Sequence, residues 1–136
     1  MASTNPNEDF AELLRLFSRI EITMKGFVEE LRASSRVRKA DVSTSVYGGG
    51  SKGLARPGFS WYIDAEIGGA PRCWTMDLAW QDGAWAISRD ITVPGRYGPE
   101  SVATSEPRRA ESLGECMAIL NEEVVRLRES LDSLFQ

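Results

Sequence analysis

Three stretches of this chain, 59–67, 73–80 and 85–93, alternate between large apolar residues and small or polar ones. Phe59, Trp61, Ile63, Ala65 and Ile67 share one phase of the first stretch. Trp74, Met76, Leu78 and Trp80 share one phase of the second, and Trp85, Ile87, Ile91 and Val93 do so in the third. A period of two marks a strand with one covered face and one wet face. This pattern constrains the fold more than any other feature: an antiparallel sheet with all four tryptophans on one side, which something must cover.

The turns between these stretches set the register. Asp82-Gly83 is a strong two-residue hairpin signal. A type I′ turn there places Trp80 opposite Trp85, Leu78 opposite Ile87 and Trp74 opposite Ile91. Gly68-Gly69 is a second tight turn, and it places Ile63 opposite Trp74, Trp61 opposite Met76 and Phe59 opposite Leu78. Apolar meets apolar at each position, so the two registers support one another. Residues 41–47, with Val42, Thr44 and Val46 in phase, predict a weaker fourth strand.

Two amphipathic segments flank the strands. In the first, Phe10, Phe17, Met24 and Leu31 recur every seven residues, and Leu13, Ile20 and Phe27 interleave with them. Leu14, Leu16 and Val28 widen the stripe, and Asn5-Pro6 suits a helix start. In the second, Leu113, Leu120, Leu127 and Leu134 form one heptad row, and Met117, Val124 and Leu131 the other. Glu122, Glu123, Arg126, Arg128 and Glu129 stand at flanking positions. Ser112-Leu113-Gly114-Glu115 has capping-box form, with Ser105-Glu106-Pro107 an earlier alternative start. The expected fold is a single α+β domain over 1–136, in the order α-β-β-β-β-α: a four-stranded antiparallel meander covered on one face by two long helices. The predicted spans are helices over 7–36 and 108–134, strands over 41–47, 59–67, 73–80 and 85–93, and a connecting loop over 94–107. The heptad rows also raise homodimerisation through the helices, against the reading that both helices pack on their own sheet.

Charge and composition narrow the function. A net charge of −4 disfavours a nucleic-acid backbone binder and favours solubility or a basic partner. The cations near the end of the first helix, Arg32, Arg36, Arg38 and Lys39, suit a helix C-terminus rather than a nucleic-acid patch. Cys73 and Cys116 lack the spacing of a metal or redox pair, and two reduced thiols are expected. With neither an apolar leader nor a stretch long enough to span a bilayer, no membrane contact and a cytoplasmic location are expected.

The chain contains no histidine, which removes the commonest general base and zinc ligand. Gly49-Gly50-Ser51-Lys52-Gly53 fits the G-x-S-x-G hydrolase pattern. That elbow needs a strand before it, a helix after it and a base, whereas here a strand follows. Stretch 48–58, with Lys52 and Arg56, is expected to be a loose cationic connection and at most a clasp for a partner.

The polar phase of the strands gathers Tyr62, Asp64, Glu66, Asp77 and Asp90, beside Ser60, Thr75 and Ser88. Three readings compete for it: an ordinary wet face, an acidic docking surface for a basic protein, or a carboxylate or Mg²⁺/Ca²⁺ site. Arg96 and Tyr97, in the long connection, join the candidate partner contacts. Arg89 falls in the apolar phase. It either pairs with a helix carboxylate, stacks on Trp74 or sits at the open edge of the layer, and in a pocket it would be an anion contact. No cofactor and no metal are expected. The expected function is a non-enzymatic protein-interaction module (an inhibitor or immunity protein, an adaptor or a small acidic chaperone) that engages a protein partner through its acidic sheet face or its helices. The alternatives are a small-molecule sensor with a pocket near Arg89 and a carboxylate- or metal-dependent enzyme using Asp64, Asp77 and Asp90.

Overall fold

The computed structural model describes residues 6–47 and 58–132, and every element named below lies within them. The glycine-rich stretch 48–57 and Leu134 fall outside the described residues. Helix α1 (Pro6–Arg32) leads into strands β1 (Val37–Tyr47), β2 (Gly58–Ile67), β3 (Ala70–Gln81) and β4 (Ala84–Gly95). Two further strands, β5 (Gly98–Thr104) and β6 (Arg108–Ala110), precede helix α2 (Leu113–Asp132). The sheet is antiparallel in the order β1-β2-β3-β4-β5, and β6 also pairs with β4.

The two tight turns set the registers that alternation implies. Trp80 faces Trp85, Leu78 faces Ile87 and Trp74 faces Ile91 across β3–β4. Phe59 faces Leu78, Trp61 faces Met76 and Ile63 faces Trp74 across β2–β3. Asp82 and Gly83 have φ of 50° and 80°, and Gly68 and Gly69 have 59° and 82°. These are the left-handed conformations that a type I′ turn requires at both central positions.

Both helices lie on the tryptophan side. Leu13, Phe17, Ile20, Met24, Phe27 and Leu31 of α1 are buried together with Phe59, Trp61, Ile63, Trp74, Met76, Leu78, Trp85 and Ile87 of the sheet. Leu120, Leu127 and Leu131 of α2 join the same core. Each such side chain contributes about 1.5–3 kcal/mol when fully buried. Trp61 donates its indole N–H to Phe17 O at 3.2 Å, and Trp85 donates to the buried Asp9 carboxylate at 3.1 Å. A homodimer through the heptad rows would therefore have to draw on surface that the subunit already buries. Leu14, read as part of the stripe, is instead 41% exposed on the flank of α1.

Several boundaries differ from the sequence reading. The first helix ends at Arg32, not 36, because Ala33 and Ser34 tighten into i→i−3 bonds to Glu30 O and Leu31 O, and Ser34 Oγ accepts from Arg36 N. The first strand begins at Val37, not 41, with a register shift between Val37 and Lys39. The stretch read as a loop, 94–107, carries β5, and 108–110 form β6 rather than the start of a helix. The sheet thus has six strands among the described residues, not four. Helix α2 starts where the capping box stands: Ser112 Oγ accepts from Glu115 N, and Glu115 returns to accept from Glu111 N.

β5 and β6 share one edge of β4. β5 pairs with the half from Asp90 to Gly95, and β6 pairs with the half from Trp85 to Ile87. Ser105 joins the two halves at Arg89, whose N–H and C=O both bond to it. All seven residues of β5 are exposed, so the β4–β5 ribbon extends past the helical layer.

Candidate functional site

Opposite the helices lies the polar phase of the sheet, with neither helix over it. Cross-strand pairing arranges it in rows. Ser45, Ser60, Asp77 and Ser88 form one, and Ser43, Tyr62, Thr75, Asp90 and Thr104 the next. Asp41, Asp64, Cys73, Thr92 and Ser101 form a third, and Lys39 and Glu66 begin a fourth. Five carboxylates therefore share a face with Lys39 and Arg109.

The carboxylates differ in their surroundings. Asp77 accepts a short hydrogen bond from the buried Ser60 hydroxyl. Asp90 accepts from Ser101 at 3.0 Å and Thr104 at 2.9 Å, both on β5. Asp41 is paired with Arg32 at 3.0 Å, and Glu66 lies 3.9 Å from Arg38. Asp64 faces Asp41 directly across β1–β2, an unfavourable like-charge pair. Among the described residues Asp64 has no cation within ion-pair distance, and its near neighbour is the Cys73 thiol. Burial, with Asp64 adding to it, pushes that thiol up from its ordinary value, so Cys73 is not set up as a nucleophilic thiolate.

The face is hollowed at one end. A cavity of about 470 Å³ is lined by Lys39, Asp64, Glu66, Cys73, Thr92 and Pro99, among others. Its wall includes both edge strands, β1 and β5. Adjacent strands stand about 4.8 Å apart, so a flat sheet would hold those edges roughly 19 Å from each other. One hollow lined from both edges therefore crosses the face of the sheet.

The structure thus brings Tyr62, Asp64, Glu66, Asp77 and Asp90 onto one face, with Tyr62 and Thr75 between the aspartates. Arg96 and Tyr97 stand apart at the tip of the β4–β5 ribbon. Tyr97 is 92% exposed, and the Arg96 guanidinium lies 5.6 Å from its ring centroid. No three Asp, Glu or Cys side chains converge as a metal-binding set among the described residues. Asp64, Asp77 and Asp90 occupy three different rows.

Arg89 is on the helix side, as its phase requires, and it meets a carboxylate of α2. Its Nε donates to Glu123 in a short bond, and Glu123 is only 2% exposed. Arg108 of β6 donates to Glu123 at 3.0 Å and pairs with Glu122 at 2.7 Å. Those bonds, to Glu122 first and then Glu123, push the Arg108 guanidinium up from its ordinary value. Sequence reasoning placed Glu123 among the exposed flanking positions. The buried stripe of α2 in fact runs Cys116, Leu120, Glu123, Leu127, and of the three placements that the phase of Arg89 allowed, the structure shows the pairing with a helix carboxylate. With its guanidinium held by Glu123, Arg89 closes an internal ion pair instead of presenting itself to an outside anion. No protein-family model, no curated protein and no solved structure matches this chain.

Proposed function

We propose that this chain is a non-enzymatic protein-interaction module, of the inhibitor or immunity-protein, adaptor or small-chaperone kind, that takes a basic segment of a protein partner on the polar face of its sheet. One observation carries this reading. Both helices cover the same side of the sheet, and the other side is left with Asp64, Asp77 and Asp90 around Tyr62 and Thr75. Fixed carboxylates on a rigid sheet supply on-rate and specificity toward cations. Hydroxyls of Ser60, Ser101 and Thr104 hold two of them in place without neutralising their charge.

The test is affinity capture with wild-type protein and with a D64N/D77N/D90N variant, followed by cross-link mapping. The reading requires one stoichiometric partner, cross-links on the open face, capture that weakens with added salt, and loss of capture in the variant. A partner retained equally by the variant would overturn it. A second reading, a small-molecule sensor, draws on the hollow of about 470 Å³, a size within the range of ligand pockets. It would use the Asp64 end of the open face, not the region of Arg89.

A further inference from the structure

Strand β1 is paired on one side only: β2 takes one edge, and among the described residues no strand takes the other. An open edge offers a row of N–H and C=O groups to any strand that approaches. The two halves of this edge are treated differently. In the first half, Arg32 donates Nε to Ala40 O at 2.9 Å and Nη2 to Asp41 at 3.0 Å. The register shift between Val37 and Lys39 and the charges of Arg38 and Lys39 lie in the same half. Capping, irregularity and charge are all devices that block strand addition. Among the described residues the second half, Val42-Ser43-Thr44-Ser45-Val46, has none of them, and Val46 is 43% exposed.

The bond to Ala40 O also agrees with the phase that the two-residue Gly68-Gly69 hairpin sets through the β2–β3 and β1–β2 registers. The backbone groups of residues 40, 42, 44 and 46 point outward, because inward and outward groups alternate along an antiparallel strand. Thr44 is anchored from behind, its hydroxyl donating to Glu21 of α1 at 2.8 Å. Leu14 stands on the same helical row as Glu21 and Arg32 and gives this flank an apolar shoulder.

Val-Ser-Thr-Ser-Val reads identically in both directions about Thr44. An antiparallel neighbour reverses chain direction, so a palindromic edge is complementary to itself, as a twofold interface demands. We propose that the outer edge of β1 from Val42 to Val46 pairs with the same edge of a second copy of this chain, about a twofold axis at Thr44, and joins two sheets into one. Thr44 then lies opposite Thr44, Val42 opposite Val46 and Ser43 opposite Ser45, with no like charges facing. The outward N–H and C=O groups of residues 42, 44 and 46 in each copy are all taken. A twofold at Val42 would instead need the Ala40 carbonyl, which Arg32 occupies.

Sedimentation equilibrium of the full chain tests this, alongside V46K and, in a Cys73→Ser background, T44C. Wild type is expected to reach twice 15.1 kDa as concentration rises. V46K places a lysine opposite Val42 and is expected to raise the dissociation constant at least about tenfold, with an unchanged circular dichroism spectrum. Opposed residues of a hydrogen-bonded pair sit about 5.5 Å apart at Cα, within disulfide reach, so T44C is expected to form a covalent dimer on oxidation. I22C, on a residue 69% exposed on α1, is expected not to. A wild type that stays monomeric at about 1 mM overturns the proposal. So does a dimer that V46K leaves intact or that T44C fails to cross-link, and if V46K does not fold, the cross-link decides alone.

Discussion

Arg89 of β4 and Glu123 of α2 form a hydrogen-bonded ion pair whose carboxylate is 2% exposed. With Arg108 bonded to the second carboxylate oxygen, one buried side chain ties α2 to β4 and β6. Removing it leaves a partly buried guanidinium without its partner. E123A is expected to cost about 3–5 kcal/mol, because an uncompensated buried charge is worse than no charge. Thermal melting would register a drop on the order of 10 °C. The R89M/E123L double variant is expected to recover most of that loss, since apolar replacement of a buried pair is often neutral.

Trp85 supplies a second test of a buried polar contact. Its indole N–H is bonded to Asp9, which is 8% exposed. W85F keeps a large ring but leaves the carboxylate short of a donor, and denaturant unfolding is expected to show a loss of about 1–3 kcal/mol beyond the change in packing.

Asp82 has a φ of 50° in the β3–β4 turn. D82N is expected to be neutral, since asparagine tolerates that conformation. D82V is expected to cost roughly 1–2 kcal/mol in urea unfolding, because a β-branched residue is strained there.

Burial, with smaller contributions from Asp9 and Glu115, pushes the Cys116 thiol up to about 12 from an ordinary value of 9.0. Between those values the unfolded chain releases a proton that the folded chain keeps. The unfolded state then binds fewer protons, so stability falls as pH rises, by about 1.4 kcal/mol per pH unit for one thiol. Below pH 9 the contribution is intact. Urea unfolding between pH 8 and about pH 10.5 should show this decline, and C116S should flatten it. A thiol reagent at neutral pH is expected to modify Cys116 only on unfolding.

The central sheet was legible because each local signal agreed with the others. The phases of Trp61, Trp74 and Trp85 fit one covered face, and Asp82-Gly83 and Gly68-Gly69 fit the registers those phases need. β5 was not legible for the opposite reason. It is exposed on both faces, so burial imposes no alternation on Gly98–Thr104, and its leading Gly98-Pro99 reads as loop. β6 is three residues long, too short for any period to show. The polar face was readable as a set of residues, yet the hydrogen bonds that hold Asp90 were not, because Ser101 and Thr104 belong to the missed strand. The phase of Arg89 allowed three placements, and only packing identified Glu123.

The division of the β4 edge separates two kinds of change. β6 fastens α2 to the core through Trp85–Ile87, and the ribbon starts only beyond the Ser105 staple at Arg89. Loop length at Arg96–Tyr97 is therefore uncoupled from the helical layer. Residues inserted there lengthen a free arm and leave the hydrophobic framework alone, so this tip is where the fold can acquire new reach without being rebuilt.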